Sequence, residues 1–186
     1  MNMKNYARIF IIFLFISFIS AQTYVPDDNF EQALIDLGYD DVLDDYVITD
    51  SINTVTTLDV SNDSISDLTG IEGFIALTYL NCGDNQLDSL DVSNNTALTQ
   101  LWCRTNQLTS LDVSNNTALT VLDCHYNDLT SLDVSSNSAL TDLRCYNNQL
   151  TSLDLSSNTA LISLSNHHNQ LDSLDVSSNT VLTTLH

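Results

Sequence analysis

The sequence has very few basic residues. Its 186 residues include 24 aspartates and glutamates but only four lysines and arginines, and no lysine follows Lys4. The formal net charge of −20 repels nucleic acids and anionic membranes, so neither is expected as a partner. Cations and neutral partners are favoured, although most of these carboxylates need do no more than keep the chain soluble.

Proline and glycine are also scarce. Proline occurs once, at Pro26, and glycine four times. The sequence contains no glycine-rich loop of the phosphate-binding kind and no G-x-S-x-G nucleophile motif, so we predict neither an enzyme nor a cofactor. A chain without proline after residue 26 can use every backbone N–H in a ladder of strands.

No apolar run is long enough to span a membrane. The run from Ile9 to Ile19 follows Lys4 and Arg8, and it falls well short of the ~20 residues of a spanning helix. Ile19 and Ala21 occupy the −3 and −1 positions of a cleavage after Ala21. This pattern predicts a secretory signal peptide over residues 1–21 and a secreted or surface protein, rather than a membrane anchor. Cleavage leaves two arginines against 24 acidic residues.

From residue 77 onward the sequence repeats every 21 residues. A first coil covers residues 55–76, and five 21-residue coils and a partial one follow at 77–97, 98–118, 119–139, 140–160, 161–181 and 182–186. Each unit holds two halves of the form L-x-x-L-x-[CV]-x-x-N. A fixed period of this length indicates a solenoid in which each coil buries its apolar edge against the next. We predict that the asparagine closing each half bonds the backbone of neighbouring coils.

Residues 22–54 do not repeat and are predicted to form an N-terminal helical cap over the first coil. Asp28 and Glu31 have the spacing of a helix-capping pair, and Gly38 supplies a stop. The other end of the chain has no such covering sequence. We therefore expect either a fragment or a solenoid completed by a partner.

These repeats resemble bacterial leucine-rich repeats. The motif L-x-x-L-x-C-x-x-N-x-L occurs four times in register, and a fifth copy has Asn166 in the cysteine position. The nested halves resemble the 21-residue subclass, and VTTLDVSNDSISDLTGIEGF resembles an internalin-type repeat. The resemblance covers residues 55–186 and is to a secreted, Bacteroidetes-type protein. It implies a curved leucine-rich repeat solenoid of short parallel strands with little helix, used to bind proteins or glycans, with no shared catalytic residues.

The four cysteines occupy one position of successive coils, at residues 82, 103, 124 and 145. Stacked coils bring neighbouring Cα atoms to about 4.8 Å, close enough for disulfides by distance alone. Their Cβ vectors run parallel into the core, however, which suits the S–S dihedral angle badly. We predict a column of buried free thiols.

Comparison between coils separates a constant face from a varied one. Outward positions of the second halves repeat Ser-Asp-Ser, whereas those of the first halves differ in every coil. We call these first-half positions the varied face. Its four columns are Tyr79, Gln100, Val121, Asp142, Ser163; Asn81, Trp102, Asp123, Arg144, Ser165; Gly83, Arg104, His125, Tyr146, His167; and Asp84, Thr105, Tyr126, Asn147, His168.

The varied face is the predicted ligand-binding site. It holds the single tryptophan and both arginines of the mature chain, and these residue types dominate interface energetics. Drift at exposed positions is the alternative, but drift should scatter such residues over both faces. The candidate contact residues are Tyr79, Trp102, Arg104, Asp123, His125, Tyr126, Arg144, Tyr146 and His167, and the ligand is a protein or a glycan.

Two other features raise the question of metal. The histidines of the varied face do not converge on one point, so no zinc site is predicted. The aspartate column, Asp91, Asp112, Asp133, Asp154 and Asp175, is a weak calcium candidate; alternatively each carboxylate is solvated or bonds its own turn. The alternative function is an acidic structural or adhesin spacer, calcium-stiffened, within a larger surface protein. A third is an accessory domain of an enzyme.

Overall fold

The computed structural model describes residues 20–186, so the predicted signal peptide lies almost entirely outside the described residues. The chain forms β1 (Gln22–Tyr24), α1 (Asp28–Asp36), β2 (Tyr46–Ile48), α2 (Thr49–Ile52) and β3 (Thr57–Asp59), followed by a 3₁₀ turn (Ile71–Gly73). Six further strands follow: β4 (Tyr79–Asn81), β5 (Gln100–Trp102), β6 (Val121–Asp123), β7 (Asp142–Arg144), β8 (Ser163–Ser165) and β9 (Thr184–Leu185). No helix of residues 20–186 is long and apolar enough to cross a bilayer.

Strands β3 to β9 form one parallel sheet in chain order. From β4 to β8, residues one period apart pair directly, as Leu80 pairs with Leu101 and Leu101 with Leu122. The coils are therefore stacked in the register that the 21-residue period predicts, and the predicted solenoid with little helix is confirmed. The second halves share this sequence pattern but form no such ladder, and their only bridge among the described residues joins Asp91 and Asp112.

Apolar side chains of every coil form one continuous core, to which the four coils from 77 to 160 add a cysteine each. The middle leucine of each strand from β4 to β8 is fully buried, and so are the four cysteines. The core thins at the last coil, where Leu171, Leu174 and Val176 are only partly buried. Burial is therefore weakest at the C-terminal end of the stack.

Two columns of asparagine side chains connect the coils, as predicted. Asn127 Nδ2 donates to the carbonyls of Cys103 and Cys124, both at 3.1 Å, and Asn127 Oδ1 accepts the Leu108 N–H at 3.0 Å. The asparagines that close the second halves also donate to two carbonyls each, as Asn137 does. These bonds satisfy backbone groups where the chain turns out of the sheet.

The cap is not purely helical, because β1 and β2 form a separate antiparallel pair. The prediction that Asp28 caps α1 was wrong by one residue. Asp27 is the N-cap, and its Oδ1 accepts the N–H groups of Asn29 and Phe30 at 2.9 and 3.0 Å. Its other oxygen accepts the Ser66 and Asp67 N–H groups, which joins the cap to the first coil.

Candidate functional site

The varied face lies on the outer side of the parallel sheet. In each strand from β4 to β8 the middle residue is buried and the first residue is partly exposed. Alternation of side chains along a strand places the first and third residues on the side opposite the core. Because the strands pair in register, corresponding residues of successive coils form columns across the sheet.

An aromatic stack runs along the third of these columns. The Tyr146 ring lies between two imidazoles, with ring centroids 4.3 Å from His125 and 4.5 Å from His167. The rings are within 10° and 11° of parallel, so both faces of Tyr146 are covered. Stacking of this kind covers the ring faces and leaves polar contacts to the ring edges.

Tyr126 lies beside this stack and is 53% exposed, whereas Tyr79 and Tyr146 are only partly exposed. Its ring meets His125 and Tyr146 edge to face, at 5.4 and 5.7 Å. Its backbone is left-handed, with φ of 53°. The same column is left-handed in every coil from 77 to 181, at Asp84, Thr105, Tyr126, Asn147 and His168.

Trp102 is the centre of the neighbouring part of the face. The guanidinium carbons of Arg104 and Arg144 are both 5.6 Å from its ring centroid, within cation–π range. Tyr79 packs against Trp102 itself, with ring centroids 6.4 Å apart. The Trp102 indole N–H is buried and has no hydrogen-bond partner among the described residues.

Carboxylates hold both arginines in place. Arg104 pairs with Asp84 at 3.2 Å, and Arg144 pairs with Asp142 at 2.7 Å and with Asp123 at 3.6 Å. The hydrogen bond that Arg144 donates to Asp142 raises the pKa of Arg144, more than offsetting its partial burial. The guanidinium groups are thereby oriented before any ligand arrives.

Asp123 was predicted to lie outward as a contact residue, but its exposure is only 1%. It lies beneath the surface, where it bonds His125 Nδ1 and approaches Arg144. Burial, followed by the nearby Asp123 charge, raises the pKa of Tyr146. Asp123 therefore positions its neighbours instead of offering itself to a ligand.

All nine predicted contact residues belong to one connected cluster. Contacts lead from Tyr79 through Trp102 and the arginines to Asp123, and from there through His125 to the aromatic stack. Asp84, Asp142 and His168 belong to the cluster as well, although sequence reasoning did not select them. The available signal for Asp84 and Asp142 was their place in the columns next to those of Arg104 and Arg144.

The constant face has a different construction. In the aspartate column each Oδ1 accepts the N–H of the serine two residues later, at 2.8–2.9 Å. These bonds to serine lower the pKa of every carboxylate in the column. Each carboxylate thus bonds its own turn, and calcium at this column stays a prediction.

The cysteine column consists of free, buried thiols, as predicted. Burial raises the pKa of Cys82 and of Cys145 to about 12. It raises those of Cys103 and Cys124 well above the usual value, with nearby thiols and Asp123 adding to the effect. A thiol with so high a pKa is protonated at neutral pH and is a poor nucleophile or metal ligand.

The cap contains one group of carboxylates close enough for a shared cation. Within residues 20–186, ligand atoms of Asp28, Glu31 and Asp45 lie within 4.8 Å of one another. Glu31 is buried, and its two oxygens accept the N–H groups of Asp44, Asp45 and Tyr46 at 2.8–3.1 Å. Through these hydrogen bonds the Glu31 carboxylate anchors the segment that follows α1.

Stacked parallel strands, asparagine columns and a leucine-lined core define the fold class as a leucine-rich repeat solenoid. Internalin J of Listeria monocytogenes serotype 4b (strain F2365) is 44% identical over 77 residues, which are 41% of this chain and 8% of that protein. No protein-family model matches the chain.

Solved structures give the same result. The functional domain of InlJ from Listeria monocytogenes, which includes a cysteine ladder, matches with a TM-score of 0.69 and 36% identity. This match covers 89% of this chain and 44% of that one. An internalin, InlF, from strain 4b F2365 of that species matches with a TM-score of 0.77 and 26% identity, over 87% of this chain and 49% of that one. A leucine-rich repeat protein of Leptospira interrogans, at 24% identity, shares the fold, with a TM-score of 0.64 over 73% of this chain and 37% of that one.

The chain is thus an internalin-like leucine-rich repeat protein. It spans less than half the length of each of these relatives. The varied face is the surface on which the residues of this solenoid differ most between coils.

Proposed function

We propose that this protein is an exported recognition module that binds a protein ligand through the varied face. The observation that carries the proposal is the single cluster of tryptophan, tyrosine, arginine and histidine on one side of the sheet. Aromatic and arginine side chains in well-packed positions contribute most of the binding energy at protein interfaces. Similarity to internalins supports a secreted or cell-surface location.

The arrangement of the rings favours a protein over a glycan. A sugar ring that stacks on an aromatic side chain needs a free ring face, and both faces of Tyr146 are covered by imidazoles. The ring edges instead offer polar atoms, and the two arginines offer planar donors. Such groups suit the carboxylates, amides and carbonyls of a protein surface.

The left-handed column gives independent support. Asp84 and Asn147 show which residue types this backbone accepts at low cost, because aspartate and asparagine tolerate the left-handed region. Thr105, Tyr126 and His168 occupy the same position with φ of 51–56°. A β-branched or aromatic residue there costs about 1 kcal/mol or more, and sites of this type cluster where function requires the side chain. Selection for a ligand contact explains why the costlier residues are present.

The proposal is tested by titrating the mature chain with a panel of purified surface proteins and polysaccharides, following Trp102 emission. A saturable change should be lost in Arg144→Ala and weakened in Tyr126→Ala. Ser131→Ala on the constant face is the matched control and should bind like the parent. Binding that survives both varied-face variants, or that is lost equally in Ser131→Ala, contradicts the proposal. A saturable response to polysaccharides alone would identify the ligand of the varied face as a glycan instead of a protein.

A further inference from the structure

The cap presents an apolar surface of its own, on the opposite end of the molecule from the thin last coil. Six of its large apolar residues are 43–51% exposed: Tyr24, Leu37, Val42, Leu43, Tyr46 and Ile48. In the β1–β2 pair, Tyr24 lies opposite Tyr46, and their rings are 5.4 Å apart. The alternate residue Val47 is fully buried, so Tyr24, Tyr46 and Ile48 share the outer side of this small sheet.

A shallow depression adjoins this surface. It is lined by Gly38, Tyr39, Asp40, Asp41, Ile48 and Ser51, so Ile48 belongs to both the depression and the apolar side of the sheet. Asp40 Oδ2 is buried there and has no hydrogen-bond partner among residues 20–186. The Asp40 residue as a whole is only partly buried, so its carboxylate stays within reach of a partner while one oxygen lacks a donor.

The charges around Asp40 also disfavour its ionised form. Burial raises the pKa of Asp40, and the nearby carboxylates of Glu31, Asp44 and Asp41 raise it further, against the lowering effect of the Asp41 N–H. Residues 22–54 contain nine carboxylates and no lysine, arginine or histidine. A cation supplied from outside would relieve both the desolvation and the repulsion.

The segment that carries these groups is held rigidly. Glu31 is fully buried, and it binds three successive backbone N–H groups from Asp44 to Tyr46. Val25 N–H donates to the Asp45 carbonyl at 2.9 Å, which ties the same segment to the first strand. A surface that is already ordered loses little entropy on binding.

We propose that the outer side of the cap is a second interaction surface, which docks a basic amphipathic segment of a partner protein. A lysine or arginine of that segment binds Asp40 in the depression, and flanking apolar side chains cover Ile48 and the two tyrosines. A basic segment is the expected partner because its charge is complementary to the acidic cap. A second copy of this chain carries the same acidic surface and is repelled, and so is an anionic membrane. This surface is separate from the varied face, so the proposal does not depend on the function proposed above.

The test uses a short fluorescent peptide of alternating lysine and leucine, with binding to the mature chain followed by anisotropy. Two analogues replace every lysine with glutamine or every leucine with serine. Asp40→Asn and Ile48→Gln are compared with matched controls, Asp91→Asn for the charge and Ile162→Gln for the apolar group. Ile48 and Ile162 are similarly exposed, at 44% and 47%. Melting temperatures of all variants verify that each is folded.

The expected result is that Asp40→Asn weakens binding by about ten-fold or more, as the loss of a partly desolvated ion pair does. Ile48→Gln should also weaken binding, while the two control variants bind like the parent. Both peptide analogues should bind poorly. Equal weakening of binding by Asp40→Asn and Asp91→Asn would show that only the net charge matters and would overturn the proposal. Tight binding of the serine analogue, or no binding of the parent peptide, would also overturn it. Saturable calcium binding that is lost in Asp28→Asn, without any discrimination between the peptides, would assign these carboxylates to a metal instead.

Discussion

Replacing Asn127 with alanine should destabilise the solenoid much more than the same change at Asn137, although both side chains are buried. Each amide crosses between coils and donates to two carbonyls. Asn127 donates to Cys103 and Cys124, both at 3.1 Å. Asn137 donates to Val113 and Asn116, at 3.0 and 2.9 Å. The two residues differ in what their side-chain oxygens do.

Asn127 Oδ1 accepts the Leu108 N–H at 3.0 Å, whereas Asn137 Oδ1 has no partner within residues 20–186. Alanine at position 127 therefore removes two donated bonds, worth about 0.5–1.5 kcal/mol each, and leaves the buried Leu108 N–H unpaired at a further cost of about 1–3 kcal/mol. The expected loss is about 2–6 kcal/mol. Alanine at position 137 also removes two bonds, but it removes an unpaired oxygen with them. Its expected cost is about 0–2 kcal/mol.

The carbonyls themselves contribute little to the difference. The Cys103 carbonyl keeps the Asn106 amide as a donor, and the Cys124 carbonyl keeps that of Asn148. The Asn116 carbonyl likewise keeps the Leu119 N–H. The difference between the two variants therefore comes from the Leu108 N–H and from the unpaired oxygen of Asn137.

Urea unfolding followed by Trp102 emission measures both variants, and equal m-values would show that the same surface unfolds in each. Hydrogen exchange at Leu108 provides a local readout, and its protection should fall selectively in Asn127→Ala. Asn137 is 0% exposed and Asn127 8%, so burial alone predicts the opposite order. Equal destabilisation, or a larger effect at Asn137, would refute the hydrogen-bond reasoning.

Four further predictions follow from other parts of the molecule. Thr105→Asn should stabilise the fold by about 1 kcal/mol and raise the melting temperature by about 2–4 °C, because asparagine tolerates the left-handed backbone better than threonine; an unchanged or lower melting temperature would contradict this. The four cysteines should resist alkylation in the folded protein and react once it is unfolded. Burial raises the pKa of Cys82 to about 12, so the folded thiol stays neutral while the unfolded one ionises near its usual value. The contribution of the buried thiol to the free energy of unfolding is therefore complete below about pH 8.5 and is lost as the pH rises toward the folded pKa. Urea unfolding across this pH range measures that loss, and a flat profile would refute it. Millimolar calcium should leave the melting temperature nearly unchanged if the aspartate column only bonds its own serines, and a sharp rise lost in Asp133→Asn would revive the calcium-stiffened spacer. Hydrogen exchange should be fastest in the coil that holds Asn166, where Leu171, Leu174 and Val176 are only partly buried, and uniform protection would exclude such fraying.

The repeat register could be predicted from the sequence because a fixed period places each residue at one position of every coil. The pairing of Leu80 with Leu101, the burial of the cysteines and the bonding of Asn127 all follow from that placement. The first halves supply the sheet, as their pattern indicates. The second halves have a similar pattern but pair at only one bridge, and local bonds from serine N–H groups to Asp91 and its equivalents take the place of a ladder there.

What the period cannot determine is how side chains of different lengths reach across coils. Arg144 extends over an intervening coil to Trp102, and Asp123 is covered by its neighbours although its position is nominally outward. The stacking of Tyr146 between two imidazoles likewise depends on rotamers that only the packed neighbours select. The sequence by itself thus determines the coil, the core and the columns, since these depend on spacing. The tertiary structure decides which members of the columns touch, since contact depends on side-chain reach, burial and charge in three dimensions.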